Sequence, residues 1–239
     1  MSKRIASFNC YGLWSSREYV AELVKQYDFA ALQETRLFPW DLAVPSTLGI
    51  DVNSFSLSSI DVTNGIKAGR PYGGITFIWH RDFGCNIQVK RYESDRILRL
   101  SVMMNGSPIL FIDVYFSVAS REKYKEYITC LGILSSLLEF REEDHLCILG
   151  DFNPTLGSPR FNEICDMLHE NNVMFRDMDI LPDNTYTHVI MVAKCVHGWI
   201  ILQCPMFCPS PVLTATPSRM LHAQITVLLQ LHSILTNCQ

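Results

Sequence analysis

The sequence predicts an α/β fold, and two patterns support that prediction. Short apolar runs of strand length recur along the chain, and between them lie segments whose apolar residues repeat with helical spacing. Four of the strand-like runs are followed directly by a polar residue that can bind a metal ion or a phosphate group. In open α/β sheets, ligands bind along the edge where the strands end. The sequence therefore predicts a functional site at such an edge.

The N-terminal part of the chain is predicted to hold two strands with a helix between them. The helix begins at residues 15–18, which have the pattern of a capping box, and apolar residues follow at helical spacing as far as Tyr27. Residues 36–63 show no clear period and are predicted to be loop with short strands. The two strands are residues 5–8, which deliver Asn9, and Phe29–Gln33, which delivers Glu34.

The central part is predicted to form consecutive strands followed by helices. Asn105 and Gly106 favour a two-residue hairpin turn between two of the strands. A long helix is expected over residues 120–140, where apolar residues line one stripe, and Ser158 and Pro159 have the pattern of a helix cap and first turn. The strands are residues 75–79, 86–91, 97–103 and 109–114, and the last of these delivers Tyr115.

The phrase LCILGDFNPTLG carries the strongest local signal. Its residues 146–149 are an apolar run that predicts a buried strand, and Gly150 ends that run. Asp151 and Asn153 follow, two residues apart and therefore on the same side of an extended chain. A carboxylate beside a carboxamide suits cation or phosphate binding, although Asp, Asn and Pro are also common in ordinary turns.

The phrases SFN, LQET, DVYFS and GDFN, in this order, resemble the motifs of the endonuclease/exonuclease/phosphatase superfamily, and YGGITFIWH resembles its central Gly-Gly strand. The resemblance extends over residues 5–188. The phrases LQETR and YTH are most similar to the apurinic-type endonuclease domains of non-LTR retrotransposons. This resemblance implies a two-sheet α/β sandwich of the DNase I-like type that cleaves DNA phosphodiesters with Mg²⁺ or Mn²⁺.

The same resemblance implies roles for individual residues. Glu34 would be the main metal carboxylate, and Asn9 would help to hold the metal ion. Two residues after Asn9, where relatives place Asp or Asn, this chain has Tyr11, which weakens the metal site. The remaining roles are phosphate contact by Tyr115, proton transfer or water orientation by Asp151, hydrogen bonding to a phosphate oxygen by Asn153, and substrate binding by Thr187.

The composition predicts an intracellular protein that binds nucleic acid only locally. The net charge is −4 at pH 7, so Lys and Arg are too few for broad attraction to phosphates. Nine cysteines without a CxxC pair indicate free thiols in a reducing compartment. No secretion signal or bilayer-spanning stretch is recognisable. We therefore expect a nuclear or cytoplasmic protein that is not secreted, binds no membrane and has no obligate protein partner.

The composition changes abruptly towards the C-terminus. The last 56 residues, from Asn184, contain no Asp or Glu, and all 24 acidic residues precede them. The resemblance fades near His188, so we expect a domain at residues 1–188 and a divergent, disordered tail at residues 189–239. The late Asp and the closing Ser-Asp-His of the family are missing from this sequence, and the C-terminal strands are expected to be lost or irregular.

The resemblance implies a Mg²⁺-dependent endonuclease-type phosphodiesterase that acts on DNA, as in retrotransposon target nicking, and the missing C-terminal motifs imply that it is impaired or inactive. Loss of the closing His alone is expected to slow the reaction by at least ~10²–10⁴-fold, the usual contribution of an acid–base group. Two alternatives stay open: a catalytically dead fragment with at most a binding role, and a phosphatase of the same fold. The choice of a nuclease follows from the resemblance, because no basic insertion favours DNA and no protruding apolar loop favours lipid.

Overall fold

In the described part of the chain, two β-sheets pack face to face and three α-helices lie on the outer faces. The predicted two-sheet α/β sandwich is therefore confirmed. The computed structural model describes residues 3–62, 71–92, 94–117, 120–143, 145–154, 157–173, 189–195 and 198–204.

The first sheet contains the strands β1 (Ile5–Asn9), β2 (Phe29–Gln33), β3 (Val52–Leu57) and β4 (Ile75–His80). Their spatial order is β1-β2-β4-β3. β1 and β2 run parallel and are joined by the helix α1 (Arg17–Gln26), whereas β4 runs antiparallel to both of its neighbours. Asn9 and Gln33 are paired at the carboxyl ends of β1 and β2, so the residue after Gln33 enters the same edge as Asn9.

The second sheet contains β5 (Cys85–Tyr92), β6 (Ser94–Met104), β7 (Ser107–Tyr115), β8 (His145–Asp151), β9 (Val189–Cys195) and β10 (Gly198–Cys204). Their spatial order is β5-β6-β7-β8-β10-β9. The helix α2 (Tyr124–Glu139) connects β7 to β8, and α3 (Pro159–Glu170) follows β8. Because β7 and β8 run parallel, their last residues, Tyr115 and Asp151, are paired directly at the carboxyl end.

The core between the sheets consists of apolar and aromatic side chains. The Phe29 ring lies 5.1 Å from that of Phe77 in its own sheet and 4.8 Å from that of Phe111 in the second sheet, measured between ring centroids. Burial of each such side chain stabilises the fold by roughly 1.5–3 kcal/mol. On the outer faces, α1 packs against the first sheet and α2 and α3 pack against the second, and the residues that α1 buries are Val20, Leu23 and Val24.

Two predicted helix starts have different outcomes. Ser158 caps α3 as predicted, because its side-chain oxygen accepts a hydrogen bond from the backbone N–H of Phe161 at 3.3 Å. The predicted capping box before α1 is wrong. The hydroxyls of Ser15 and Ser16 instead donate to the backbone carbonyl of Gly12, at 2.8 and 3.0 Å, so neither side chain caps the helix.

The remaining predicted elements are present with shifted ends. Asn105 and Gly106 form the expected turn, and both have positive φ values, 50° and 86°. α2 begins at Tyr124 rather than at residue 120. Residues 36–63 include β3 and two short 3₁₀ helices. Among the described residues the longest helix has 16 residues, and none combines the length and apolarity that a bilayer crossing requires.

Two strands lie beyond the predicted domain boundary at residue 188. β9 and β10 form an antiparallel pair, and β10 runs parallel to β8. The sequence predicted that the C-terminal strands would be lost or irregular, but the described part of the tail forms regular strands. The reason is that β8 supplies backbone hydrogen-bond partners for β10. The domain boundary itself stays a prediction, and the rest of the tail, from residue 205, lies outside the described residues.

Candidate active site

Four of the predicted site residues meet at one edge of the sandwich, which we call the site edge. Asn9, Tyr115 and Asp151 are the last residues of β1, β7 and β8, and Glu34 directly follows β2. All four side chains are buried, although each belongs to a polar residue. Buried polar groups must find hydrogen-bond partners, and these residues find them in one another.

Asn9 bridges the two carboxylates of the site edge. Its Nδ2 donates to Glu34 Oε1 at 3.3 Å and to Asp151 Oδ2 at 2.8 Å. Since both carboxylate oxygens contact one nitrogen, they can be no further apart than these two distances together, about 6 Å. A hydrated cation with a phosphate group can span such a gap. The structure therefore brings together the residues that the sequence pattern placed at four separate strand ends.

Tyr115 contacts the same carboxylate from the second sheet. Its hydroxyl donates to Glu34 Oε1 at 3.0 Å. Burial raises the pKa of Tyr115, and the nearby charge of Glu34 raises it further, so the phenol keeps its proton and acts as a donor. The Arg96 guanidinium lies over the Tyr115 ring, 5.1 Å from the centroid, and holds the ring in place.

Asp151 is the carboxyl group of the site edge that can exchange a proton near neutral pH. Burial raises its pKa to about 7, the negative charge of Glu34 also raises it, and hydrogen bonds from Asn9 and Asn153 oppose that rise. The backbone N–H of Asn153 donates to Asp151 Oδ1 at 3.0 Å. The carboxyl group is thus fixed from both sides, by Asn9 on Oδ2 and by Asn153 on Oδ1.

Asn153 lies at the rim of the site rather than in its buried part. Its φ is 53°, in the left-handed region that Asn tolerates better than most residues. One of its side-chain N–H groups donates to the carbonyl of Phe116 at 2.8 Å, which orients the carboxamide. A carboxamide has a second N–H and an oxygen, and these are the groups with which Asn153 could contact a phosphate group.

Arg36 belongs to the site edge although the sequence analysis did not single it out. Its guanidinium pairs with Glu34 Oε2 and lies 4.5 Å above the centroid of the Tyr11 ring. Glu34 and Arg36 have positive φ values of 51° and 53°. The signal available in the sequence was the phrase LQETR, which places a cation two residues after the carboxylate.

The backbone around Arg36 is fixed by the Gly-Gly pair that precedes β4. The N–H groups of Thr35 and Arg36 donate to the carbonyls of Gly74 and Gly73, at 3.1 and 2.8 Å. A Cβ atom on Gly74 would lie 2.6 Å from the Thr35 hydroxyl oxygen, closer than real Cβ contacts allow. Glycine is therefore required here for the close approach of the two segments.

A buried polar trio, which was not predicted from the sequence, lies beneath the site residues. Gln33 Nε2 donates to Ser7 Oγ at 3.2 Å and to Asp113 Oδ1 at 2.7 Å, which links β1, β2 and β7. Burial raises the pKa of Asp113 well above its ordinary value, because a charge is poorly solvated there. The available signal was a polar residue inside each of three apolar strands.

The side chains present fit a hard divalent cation. Mg²⁺ binds proteins through one or two carboxylates and keeps several of its waters. Glu34 Oε1 accepts hydrogen bonds from Asn9 and Tyr115, whereas Oε2 has one partner, Arg36, and retains a lone pair for a cation. In the described segments no three His, Cys, Asp or Glu side chains cluster as a preformed metal site, so the fit depends on two carboxylates and a carboxamide.

The described histidines lie far from the site edge. His80 ends β4, which runs antiparallel to β2, and it is therefore at the opposite end of the sheet from Gln33. His145 begins β8, about 20 Å of extended strand away from Asp151. His169 lies near the far end of α3. Thr187, the predicted substrate-binding residue, and His188 lie outside the described residues.

The architecture and the strand ends that form the site edge define the class of fold: it is a two-sheet α/β sandwich of the DNase I-like type. No family model matches the sequence. No curated protein matches it either. The evidence for the class is therefore structural.

Solved structures of a phosphatase and of two endonucleases share this fold at low sequence identity. The 3' phosphatase NExo from Neisseria, a point variant bound to a product DNA hairpin, has a TM-score of 0.57 and 16% identity, with 78% of each chain covered. An AP endonuclease from Archaeoglobus fulgidus has a TM-score of 0.55 and 17% identity, with 78% of this chain and 77% of that chain covered. The endonuclease domain of TRAS1, a telomere-specific non-LTR retrotransposon, has a TM-score of 0.51 and 14% identity over 79% of each chain. The resemblance predicted from the sequence is confirmed as a likeness of fold.

Proposed function

We propose that the chain is a metal-dependent phosphodiesterase of the endonuclease type that acts on DNA, as in the target nicking of retrotransposons. The observation that carries the proposal is the bridge from Asn9 to Glu34 and Asp151, which holds a carboxylate oxygen of each within about 6 Å of the other at the edge where strands end. Bound there, Mg²⁺ or Mn²⁺ would neutralise charge on the phosphate group. Glu34 and Asn9 are the residues that would hold the ion.

Each other residue of the site edge has a role that suits its surroundings. Asp151, whose pKa is about 7, accepts the proton of the attacking water. The protonated Tyr115 hydroxyl donates to a phosphate oxygen, as does the Asn153 carboxamide. Arg36 adds a fixed positive charge next to Glu34, close to the phosphate group whose oxygens gain negative charge during cleavage.

The proposal is tested by nicking of supercoiled plasmid in Mg²⁺, in Mn²⁺ and in excess chelator. We expect cleavage in either metal ion, none in chelator, and none with Glu34→Ala. Glu139→Ala is the matched control, because Glu139 is an exposed carboxylate at the end of α2 remote from the site edge. Undiminished cleavage in chelator would contradict the proposal. Release of phosphate from a 3'-phosphorylated oligonucleotide without nicking would indicate a phosphatase instead.

We also propose that this chain is a slow enzyme. The described histidines are remote from Asp151, and the sequence has no Asp or Glu after Asp183 to pair with a later histidine. An acid–base group contributes ~10²–10⁴-fold to a rate, so its loss leaves weak cleavage.

This second claim is tested with a chimera in which the segment after His188 comes from an active member of the same fold class. We expect the chimera to nick plasmid at least ~10²-fold faster than the unmodified chain. Equal rates would show that the tail already supplies the groups in question. Failure of both proteins to nick DNA would favour a binding role without catalysis.

A further inference from the structure

Four exposed aromatic side chains lie in the segments that leave or enter the first sheet at the site edge, and we call them the aromatic rim: Tyr11, Trp14, Trp40 and Tyr72. Each is 52–61% exposed, a high fraction for a large ring. Tyr11 and Trp14 follow β1, Trp40 lies in the segment after β2, and Tyr72 precedes β4. Because β4 begins where β2 ends, with Ile75 paired to Gln33, all of these segments belong to one end of the first sheet.

The segments that carry the aromatic rim are joined by backbone hydrogen bonds next to Glu34. The N–H of Gly12 donates to the carbonyl of Glu34 at 2.8 Å, and that of Leu13 donates to the carbonyl of Thr35 at 2.9 Å. On the other side, the N–H of Arg36 donates to the carbonyl of Gly73 at 2.8 Å. The rim is therefore built on a fixed backbone rather than on independent loops.

Three rings of the rim are also held by a neighbouring side chain. The Trp40 ring is stacked on Phe38, with the centroids 4.8 Å apart and an angle of 3° between the planes. Arg36 lies over Tyr11 and Arg17 lies over Trp14, with 4.5 and 5.8 Å between the guanidinium carbon and the ring centroid. Rings that are ordered in advance bind a flat ligand with little further loss of conformational entropy.

We propose that the aromatic rim stacks unpaired bases of the DNA strand whose phosphodiester lies at Glu34, so that the substrate is single-stranded or locally unpaired DNA. The inference rests on the proposed function, because that function puts the phosphodiester at Glu34. Base faces are accessible in a single strand and covered in a duplex, and each stacked base strengthens binding substantially. A net charge of −4 gives little general attraction to the phosphates of a duplex. In a single strand, by contrast, the rings can stack on the bases while Arg17 and Arg36, which lie against two of these rings, attract the neighbouring phosphates.

The test is binding of a fluorescent thymidylate oligonucleotide of about 12 residues, measured by anisotropy in excess chelator so that no cleavage occurs. Two further ligands are a duplex of the same length and an abasic strand with the same backbone. We expect the single strand to bind at least ~10-fold more tightly than either. Replacing Trp14 and Trp40 together by Ala should weaken its binding by ~10-fold or more, the usual loss for stacked bases.

Two matched variants separate stacking from general damage. Replacement of the same two residues by Phe keeps a ring at each position and should restore most of the affinity. Phe140→Ala removes a ring that is 73% exposed at the end of α2, remote from the site edge, and should leave the affinity unchanged. Absence of binding, equal affinity for the three ligands, or unchanged affinity in the double Ala variant would overturn the inference. Tight binding through the rim without cleavage in Mg²⁺ would contradict only the proposed function.

Discussion

The hydroxyl of Tyr115 donates to Glu34 Oε1 at 3.0 Å and thereby joins the two sheets at the point where their strands end. Tyr115 is the last residue of β7 in the second sheet, and Glu34 follows β2 in the first. The hydrogen bond is buried and its acceptor is a carboxylate, which makes it stronger than a bond between neutral groups. This hydrogen bond therefore orients the proposed metal ligand Glu34 and also links the two sheets at the site edge.

Tyr115→Phe removes this hydrogen bond and keeps the ring under Arg96. We expect a double-mutant cycle with Glu34→Ala, measured by urea unfolding, to give a coupling of about 1–2 kcal/mol in the free energy of unfolding. Tyr72→Phe is the control, because Tyr72 is 57% exposed and should not couple to Glu34. Additive losses from Tyr115→Phe and Glu34→Ala would show that the bond contributes nothing to stability.

Gln33→Leu should destabilise the protein by about 2–4 kcal/mol, since it leaves both Asp113 and Ser7 buried without their shared partner. Adding Asp113→Leu should recover part of that loss, because two apolar side chains leave fewer polar groups unpaired. Gln88→Leu on β5 is the control for exposed glutamine. If the double variant loses as much free energy of unfolding as the two single variants together, the trio does not act as one hydrogen-bonded unit.

Gly150→Ala is expected to prevent stable folding. A Cβ at this position would lie 2.0 Å from the backbone oxygen of Val114 on β7, and φ is 135°, which side chains rarely adopt. Gly132→Ala in α2 is the opposite case, because nothing lies within 4 Å of the added carbon. It should raise the free energy of unfolding by about 0.5–1 kcal/mol. Thermal unfolding of the two variants measures whether Gly150→Ala destabilises the protein and Gly132→Ala stabilises it. A Gly150→Ala protein as stable as the original chain would contradict the close pairing of β7 and β8.

The ion pair between Arg99 and Glu143 makes the free energy of unfolding depend on pH in the acidic range. Burial would raise the pKa of Glu143, but hydrogen bonds from Arg99 and Ser101 and the Arg99 charge outweigh burial and lower that pKa. Arg99 Nη2 donates to Glu143 Oε1 at 2.6 Å. Because the carboxyl group binds protons less well when folded, its contribution is present above the pKa of the unfolded state. That contribution disappears as the pH falls through the folded pKa.

Glu143→Gln should therefore lower the free energy of unfolding by about 1–3 kcal/mol near neutral pH, and the difference from the original chain should shrink below about pH 4. Denaturant unfolding at several pH values measures the difference. Glu142→Gln, at the exposed neighbouring position, is the control and should leave the free energy of unfolding near neutral pH almost unchanged. A constant deficit at all pH values would mean that packing rather than charge is lost.

The strand ends of the site could be predicted from the sequence because their signal is local. Asn9, Glu34, Tyr115 and Asp151 each follow an apolar run directly, and no knowledge of the sheet order is needed to notice them. The edge strand β3 was harder to predict from the sequence, because the segment Val52–Leu57 mixes apolar and polar residues and has only two buried positions. Its pairing with β4 is what makes it a strand.

The side-chain contacts that depend on tertiary structure could not be predicted in the same way. Asp113 is visible as a polar residue in an apolar strand, but its contact with Gln33 depends on how the two sheets face each other. The pairing of Arg36 with Glu34 depends on positive φ values that the carbonyls of Gly73 and Gly74 hold in place. Such features arise from tertiary structure, and sequence spacing alone does not specify them.

The central claim is that the carboxylates bridged by Asn9 form a metal site, and anomalous diffraction from crystals soaked in Mn²⁺ tests it most directly. We predict an anomalous peak about 2–2.5 Å from a carboxylate oxygen of Glu34, beside Asp151, that is lost in Glu34→Ala and retained in Glu139→Ala. Diffraction that shows no ion at the site edge, or the same peak in Glu34→Ala crystals, would contradict the account.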